Sequence, residues 1–354
     1  QAIVVPHSHN DPGWLRTIEE YFAENTESIL NNMLEKLIEH QEMTFVWAET
    51  VFLSMWWNNL TDEKRKIFNM LVESGRLEIV GGGWVVPDEA VTHYSSLILN
   101  FLEGHRWLKK KILFKPKITW SLDPFGYSSF FPYLYNRIGY KSSIILRVNT
   151  YIKTEMAMKK LLHFKWRQNW DRDGLFDSET FMLPFMLYNI KHQCGPDKLI
   201  CLQFDFRNIP GESSESRAEE VNAYNIASLA RLLTDQFKKK ASLQMNKNVV
   251  LIPIGDDFRF DQSIEWDQQY NNFMKLFRYI NKTPELGVKV KFGTVSEFFN
   301  RMARHNKKFG IHEKERELFT LSGDFFPYTD RDNDYWTGFY TTRMWLKKLI
   351  RTLE

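Results

Sequence analysis

Ala2-Ile3-Val4-Val5-Pro6-His7-Ser8-His9-Asn10-Asp11-Pro12-Gly13-Trp14 is the stretch from which the fold is read. Five residues apolar on both faces are the mark of a strand buried on both sides, as in parallel sheets covered by helices. The turn that follows carries two imidazoles and a carboxylate within five residues. The same pattern recurs along the chain, with candidate strands at 2–6, 44–48, 77–80, 117–120, 143–146, 249–254 and 288–292. Segments of helical period separate them at 62–73, 95–110, 217–239, 265–280 and 295–304. Ile18, Phe22, Ile29, Met33 and Leu37 recur at spacings near four or seven, one face of an amphipathic helix. Strands alternating with helices predict an α/β fold, and seven of them predict a parallel (β/α) barrel. No repeat, low-complexity tract or linker divides the chain, so 1–354 reads as a single domain. The rhythm breaks near 165–245, which is expected to be a long insertion over the barrel mouth.

Composition excludes other classes. Of 354 residues, 26% are charged and 43% hydrophobic, and Lys plus Arg exceeds Asp plus Glu by 47 to 44, so neither disorder nor a nucleic-acid partner is indicated. No apolar run approaches the roughly 18 residues of a membrane span, and 2–6 is too short for a signal-peptide core. A strand beginning directly after Gln1 suggests a processed piece whose targeting signals lie upstream, and any membrane attachment is expected through an anchor outside this chain. Lys109–Lys111 and Lys238–Lys240 are expected as solvated helix ends facing the negative end of the dipole.

The reactive residues follow the strands. His7, His9 and Asp11 follow the first, Glu49 the second, Asp123 the fourth, Arg147 the fifth, and Asp256 and Asp257 the run 249–254. The C-terminal rim of a parallel barrel is where active sites lie. His9 and Asp11 have the spacing and N/O donor set for a metal such as zinc; the competing reading is a turn in which Asp11 binds backbone amides. His7 and His9 mimic the H-x-H of amidohydrolase barrels, with Pro6 and Trp14 fitting that reading poorly. Of the adjacent Asp256 and Asp257, one is expected to face the reacting bond and the other to hold substrate or Arg259. Two rim carboxylates about 5–5.5 Å apart would suit a retaining glycosidase. Aromatic residues make up 15% of the chain, and Trp14, Trp84, Phe125, Tyr127, Tyr188, Tyr335 and Trp336 fall in predicted loops, where flat rings can pack on a sugar, although most are expected to pack in the core.

Cys194 and Cys201 flank a turn containing Gly195 and Pro196, compatible with a disulfide in an oxidising compartment or with two free thiols. Asn59-Leu60-Thr61 is a glycosylation sequon, and Thr61 equally suits a helix N-cap.

Five collinear motifs carry a resemblance: HSHNDPGW at 7–14, DPFGYS at 123–128, CGPDKLIC at 194–201, GDDFRF at 255–260 and LSGDFFPYTDRDNDYWTG at 321–338. Together they resemble the catalytic domain of glycoside hydrolase family 38, and the Asn-Asp-Pro-Gly form of the first is similar to its Golgi type rather than its lysosomal type. The resemblance implies an irregular seven-stranded parallel barrel and one zinc ion. His9, Asp11 and Asp123 would be metal ligands, Asp123 also the nucleophile, and Asp257 the acid/base. Trp14, Phe125, Arg147, Tyr188 and Asp256 would contact substrate or orient the nucleophile, and Cys194 and Cys201 would form a disulfide. The family's fourth ligand belongs to a His-His-Asp motif that this chain does not contain; His40, His93, His105, His163, His192, His305 and His312 match nothing in that metal site. Nor does the chain contain the helical-bundle and β-sandwich domains that follow in the family.

The expected function is therefore a zinc-dependent retaining α-mannosidase removing α1,3- and α1,6-linked mannose from N-glycans in the Golgi lumen. Two alternatives are a catalytically impaired mannose-binding fragment and another barrel metal hydrolase, such as an amidohydrolase or deacetylase.

Overall fold

The computed structural model describes residues 1–308 and 318–353. The described residues form ten strands: β1 (Ala2–Pro6), β2 (Phe45–Trp47), β3 (Leu77–Ile79), β4 (Ile118–Ser121), β5 (Ser142–Ile145), β6 (His163–Arg167), β7 (Ser178–Met182), β8 (Val250–Ile254), β9 (Val290–Phe292) and β10 (Phe319–Ser322). All seven predicted strands are present, within two residues of their expected bounds. The chain divides into two compact units. One comprises Gln1–Trp47, Phe52–Ile79 and the chain from Leu187 through the helix Val295–Lys308; the other comprises Ala48–Val51, Val80–Met186 and the segment from Phe319 onward. No helix among the described residues is long and apolar enough to cross a membrane.

In the first unit β1 lies between β8 and β9, parallel to both, with Val4 opposite Ile252 and Phe292. β2 and β3 form a second parallel pair, which His7 extends by a bridge to Val46. Every residue of β1 and β8 is buried, as their unbroken apolar runs require. The helix Glu27–Glu39 buries Ile29, Met33 and Leu37 as expected. Ile18 and Phe22 are only half-buried. The π-turn Phe22–Thr26 precedes that helix, and its wider turn rotates the buried face, so Tyr21 and Thr26 point inward instead. Thr61 caps the helix Asp62–Glu73, accepting from the Lys64 amide at 3.3 Å. Lys240 departs from expectation. It is buried at the end of the helix Ile226–Ala241, where its ammonium donates to both the backbone and side-chain oxygens of Gln193 at 2.8 Å.

Cys194 and Cys201 are disulfide-bonded, with Cα atoms 5.6 Å apart. Asp197 caps the short helix between them, accepting from the amides of Leu199 and Ile200. Closing so short a loop stabilises the folded chain by about 2.5 kcal/mol through the lost entropy of the unfolded state. A Cys194→Ala, Cys201→Ala double variant is expected to lose that amount in denaturant unfolding, and reductant is expected to lower wild type to the same level.

In the second unit the strands run β10-β6-β7-β5-β4. β4, β5 and β7 are mutually parallel, whereas β6 pairs antiparallel with β7. This corrects the reading of 165–245 as an insertion throughout: its first part supplies β7 and the end of β6, which belong to the sheet. β6 alternates half-buried and buried residues, β7 opens on Ser-Glu-Thr and β10 is largely exposed, so none of these three unpredicted strands shows the doubly apolar run of β1 and β8. Among the described residues the ladders make three sheets rather than one ring of seven strands. The helix Tyr94–Lys111 ends in Lys109–Lys111 at the negative end of its dipole, as expected.

Candidate active site

Because β1 and β8 are parallel neighbours, the loops after them leave side by side. The His9 amide donates to the Asp256 carbonyl at 3.1 Å, the Phe258 amide to the His9 carbonyl at 2.7 Å, and His9 and Asp257 form an isolated bridge. The crossing is tight at Gly255. With φ of +147°, a Cβ there would fall 1.9 Å from the His7 carbonyl oxygen, so a side chain is excluded.

On this frame His9 Nε2 and Asp11 Oδ1 lie 3.2 Å apart. Two ligands about 2.1 Å from a tetrahedral ion are separated by roughly 3.4 Å, so this imidazole–carboxylate edge suits a zinc-type ion. Tyr188, which the resemblance implies to contact substrate or orient the nucleophile, is buried and packs 5.2 Å from the His9 ring. Its hydroxyl donates to Asp257 Oδ1, and its carbonyl lies 3.1 Å from His7 Nε2. Trp14 is 65% exposed.

Asp256 and Asp257 point apart, as expected of adjacent residues. Asp257 is exposed, whereas the Asp256 carboxylate accepts from Asn189 Nδ2 at 2.8 Å and from the Asp257 amide at 3.0 Å. Burial raises the Asp256 pKa, with those hydrogen bonds opposing it. Arg259 does not pair with Asp256, one of the expected alternatives. Its guanidinium is engaged by Asp205 at 2.7 and 3.0 Å and Glu265 at 2.6 Å, two residues without a motif signal. Asn189 also carried no such signal. Asn189, His192, Asp205, Arg207, Asp256 and Arg259 line a polar cavity of about 410 Å³.

His7 is fully buried, and desolvation lowers its pKa from 6.5 to about 4. A histidine that binds its proton less readily folded than unfolded stabilises the protein above the unfolded pKa and loses that contribution as pH falls through the window. The melting temperature is expected to fall between pH 6.5 and 4, and His7→Asn, which cannot titrate, is expected to flatten that slope.

The second unit repeats the logic. β4 and β5 are parallel with Ser121 opposite Ile145, so Asp123 and Arg147, each two residues past its strand, emerge together. Arg147 Nε donates to Asp123 Oδ1 at 2.8 Å, and Nη2 reaches the same oxygen. The guanidinium carbon lies 5.3 Å from the ring centre of Phe125, 5.9 Å from Tyr328 and 5.1 Å from Trp336, close enough for cation–π attraction. Tyr328 was not singled out in the sequence, although it lies in the motif at 321–338. Glu49 is structural here: it is buried and accepts from the Val86 amide at 3.0 Å. Tyr127 is fully buried, the core packing expected of most of the loop aromatics.

Of the histidines set aside, His40 does lie in a donor group, with Glu39 and Asp267. The Lys36 ammonium already occupies it, 2.7 Å from Glu39 and 2.7 and 2.8 Å from the two Asp267 oxygens. His312 lies outside the described residues.

Comparison with known proteins identifies the family. Residues 1–331 match the model of the glycosyl hydrolases family 38 N-terminal domain. The whole chain aligns with alpha-mannosidase 2x of Mus musculus and alpha-mannosidase 2 of Homo sapiens at 45% identity, covering 31% of each, and with alpha-mannosidase 2 of Drosophila melanogaster at 42%, covering 32%. It thus spans about a third of the length of these relatives. Among solved structures, an alpha-mannosidase from Enterococcus faecalis V583 matches with TM-score 0.62 and 16% identity over 92% of this chain and 30% of that one, a likeness of fold. With the family model matching 331 of its 354 residues, this chain belongs to glycosyl hydrolase family 38.

Proposed function

We propose that this chain is the catalytic region of a zinc-dependent retaining α-mannosidase that removes α1,3- and α1,6-linked mannose from N-glycans. One observation carries the reading within the family: its two candidate catalytic carboxylates are held in opposite ways. Asp123 accepts from the Arg147 guanidinium, which orients it as a nucleophile, whereas Asp257 is exposed and accepts from the Tyr188 hydroxyl, where it can reach a leaving group. We also propose that an irregular seven-stranded (β/α) barrel underlies a single catalytic domain over 1–354.

His9, Asp11 and Asp123 would hold the zinc ion, which would supply Lewis-acid binding and orientation of the terminal mannose. The Asp123 carboxylate attacks the anomeric carbon while Asp257 protonates the departing oxygen, leaving a mannosyl ester on Asp123. Asp257 then takes a proton from water, which cleaves the ester and restores the original configuration. Arg147 fixes the attacking carboxylate. Trp14 and Phe125 offer rings to the sugar, and Asp256 lines a polar cavity with room for the rest of the glycan.

The metal-loaded enzyme is expected to hydrolyse an aryl α-mannoside with retention, read by NMR of the first-formed anomer. Chelation should abolish this and added zinc restore it; undiminished activity in chelator, with no metal by elemental assay, would overturn the zinc assignment.

The Golgi lumen is the proposed compartment, and the Cys194–Cys201 disulfide is in keeping with an oxidising one. Asn59 is exposed, so its sequon is open to glycosylation there. Secreted expression is expected to give a glycan mass that Asn59→Gln removes.

A further inference from the structure

We propose that Tyr127 is a positioning residue that sets the Asp123–Arg147 pair, although its own ring never meets substrate. The proposal rests on Asp123 being the nucleophile. Tyr127 is 0% exposed, so a sugar cannot stack on it. Its hydroxyl donates to the Ser121 carbonyl at 2.7 Å and accepts from the amides of Leu146 at 2.9 Å and Arg147 at 3.2 Å. A hydroxyl has one donor and two acceptor sites, and all three are used.

The placement of these bonds gives them their consequence. Ser121 is the last residue of β4, two before Asp123, while Leu146 and Arg147 follow the last residue of β5. The ladder between the two strands ends at Ser121 and Ile145. Beyond that point one phenol oxygen joins the backbones from which both functional side chains spring. The Gly126 amide reinforces it by donating to the Arg147 carbonyl at 3.1 Å. The phenol is anchored in turn: the Phe325 amide donates to the Tyr127 carbonyl at 2.8 Å, and the next amide, Ser128, donates to buried Glu89 at 2.9 Å. Tyr127→Phe would keep the ring but strand a carbonyl and two amides in a dry site. Their relaxation would move Arg147 and Asp123 relative to each other, and a misplacement of about 1 Å costs on the order of 100-fold in rate.

The test compares Tyr127→Phe with Tyr140→Phe in the metal-loaded enzyme. Tyr140, two residues ahead of β5, is a buried phenol of the same unit whose hydroxyl donates to the Gly81 carbonyl. Tyr127→Phe is expected to lower kcat on an aryl α-mannoside about 10- to 100-fold, with KM within about two-fold and metal content unchanged. It should slow single-turnover formation of the mannosyl ester equally. Tyr140→Phe is expected to lower the melting temperature comparably and leave kcat at wild type. Wild-type kcat in Tyr127→Phe, or equal kcat losses in both variants, overturns the proposal. Should Tyr127→Phe fail to fold, 3-fluorotyrosine at 127 keeps the hydroxyl while weakening it as an acceptor; a fall in kcat without a change in KM supports the proposal, and an unchanged kcat overturns it. An inactive wild type, or an active Asp123→Ala, would instead overturn the mannosidase reading.

Discussion

Replacing Asp123 by asparagine is expected to cut hydrolysis of any α-mannoside by on the order of 10⁴-fold or more, because the group that forms the covalent bond is gone. Asparagine keeps the volume and one oxygen for Arg147, so the fold should survive. Alanine removes the carboxylate from a guanidinium only 11% exposed among three aromatic rings, and breaking such a pair costs up to about 3 kcal/mol. Asp123→Ala is therefore expected to melt earlier than Asp123→Asn. It also opens space at the attacking face. Azide added to the alanine variant should take the place of the carboxylate and, with an activated aryl mannoside, give the mannosyl azide of inverted configuration. An asparagine variant retaining a hundredth of wild-type activity, or an azide product of retained configuration, would remove Asp123 from the nucleophile's role.

The second large effect separates two substrates rather than two variants. Asp257→Asn cannot donate a proton, and general acid catalysis contributes on the order of 10² to 10⁴-fold. Cleavage of a glycan, whose leaving group is a sugar hydroxyl, should fall by that factor. Formation of the mannosyl ester from a dinitrophenyl mannoside should fall less than about ten-fold, since that leaving group departs unprotonated. Tyr188→Phe removes one hydrogen bond that orients the Asp257 carboxyl without deleting the acid, so an intermediate loss confined to the glycan is expected. If both substrates slowed equally in Asp257→Asn, the residue would be positioning substrate rather than donating a proton.

The limits of sequence reading show at particular residues. The strands that are apolar throughout were placed within two residues, because a segment buried on both faces has few other ways to satisfy its backbone. β6 escaped because its residues alternate, β7 because it opens on the polar Ser178-Glu179-Thr180, and β10 because it is mostly exposed. The two-residue overhang that carries Asp123 and Arg147 past their strands was visible as spacing, but their contact was not, since it depends on β4 and β5 being hydrogen-bonded neighbours. Arg259 was assigned among its sequence neighbours, whereas Asp205, distant in sequence, is one of its partners. For Tyr127 and Tyr188 the sequence left core packing and sugar contact open, because a phenol in a loop looks the same whether its face or its hydroxyl is used; in the fold both rings are buried and both hydroxyls are hydrogen-bonded.

By itself the sequence determined the alternation of buried strands and amphipathic helices, and the row of acids, imidazoles and a guanidinium just past the strand ends, since periodicity and covalent spacing are local. Tertiary structure decided which of those groups touch. Asp123 received Arg147, Asp257 received Tyr188, and Asp256 received Asn189 instead of Arg259. Partners at hydrogen-bond distance are set by strand order and register, which bring together residues 24 and 69 positions apart, and no local pattern encodes a separation of that size.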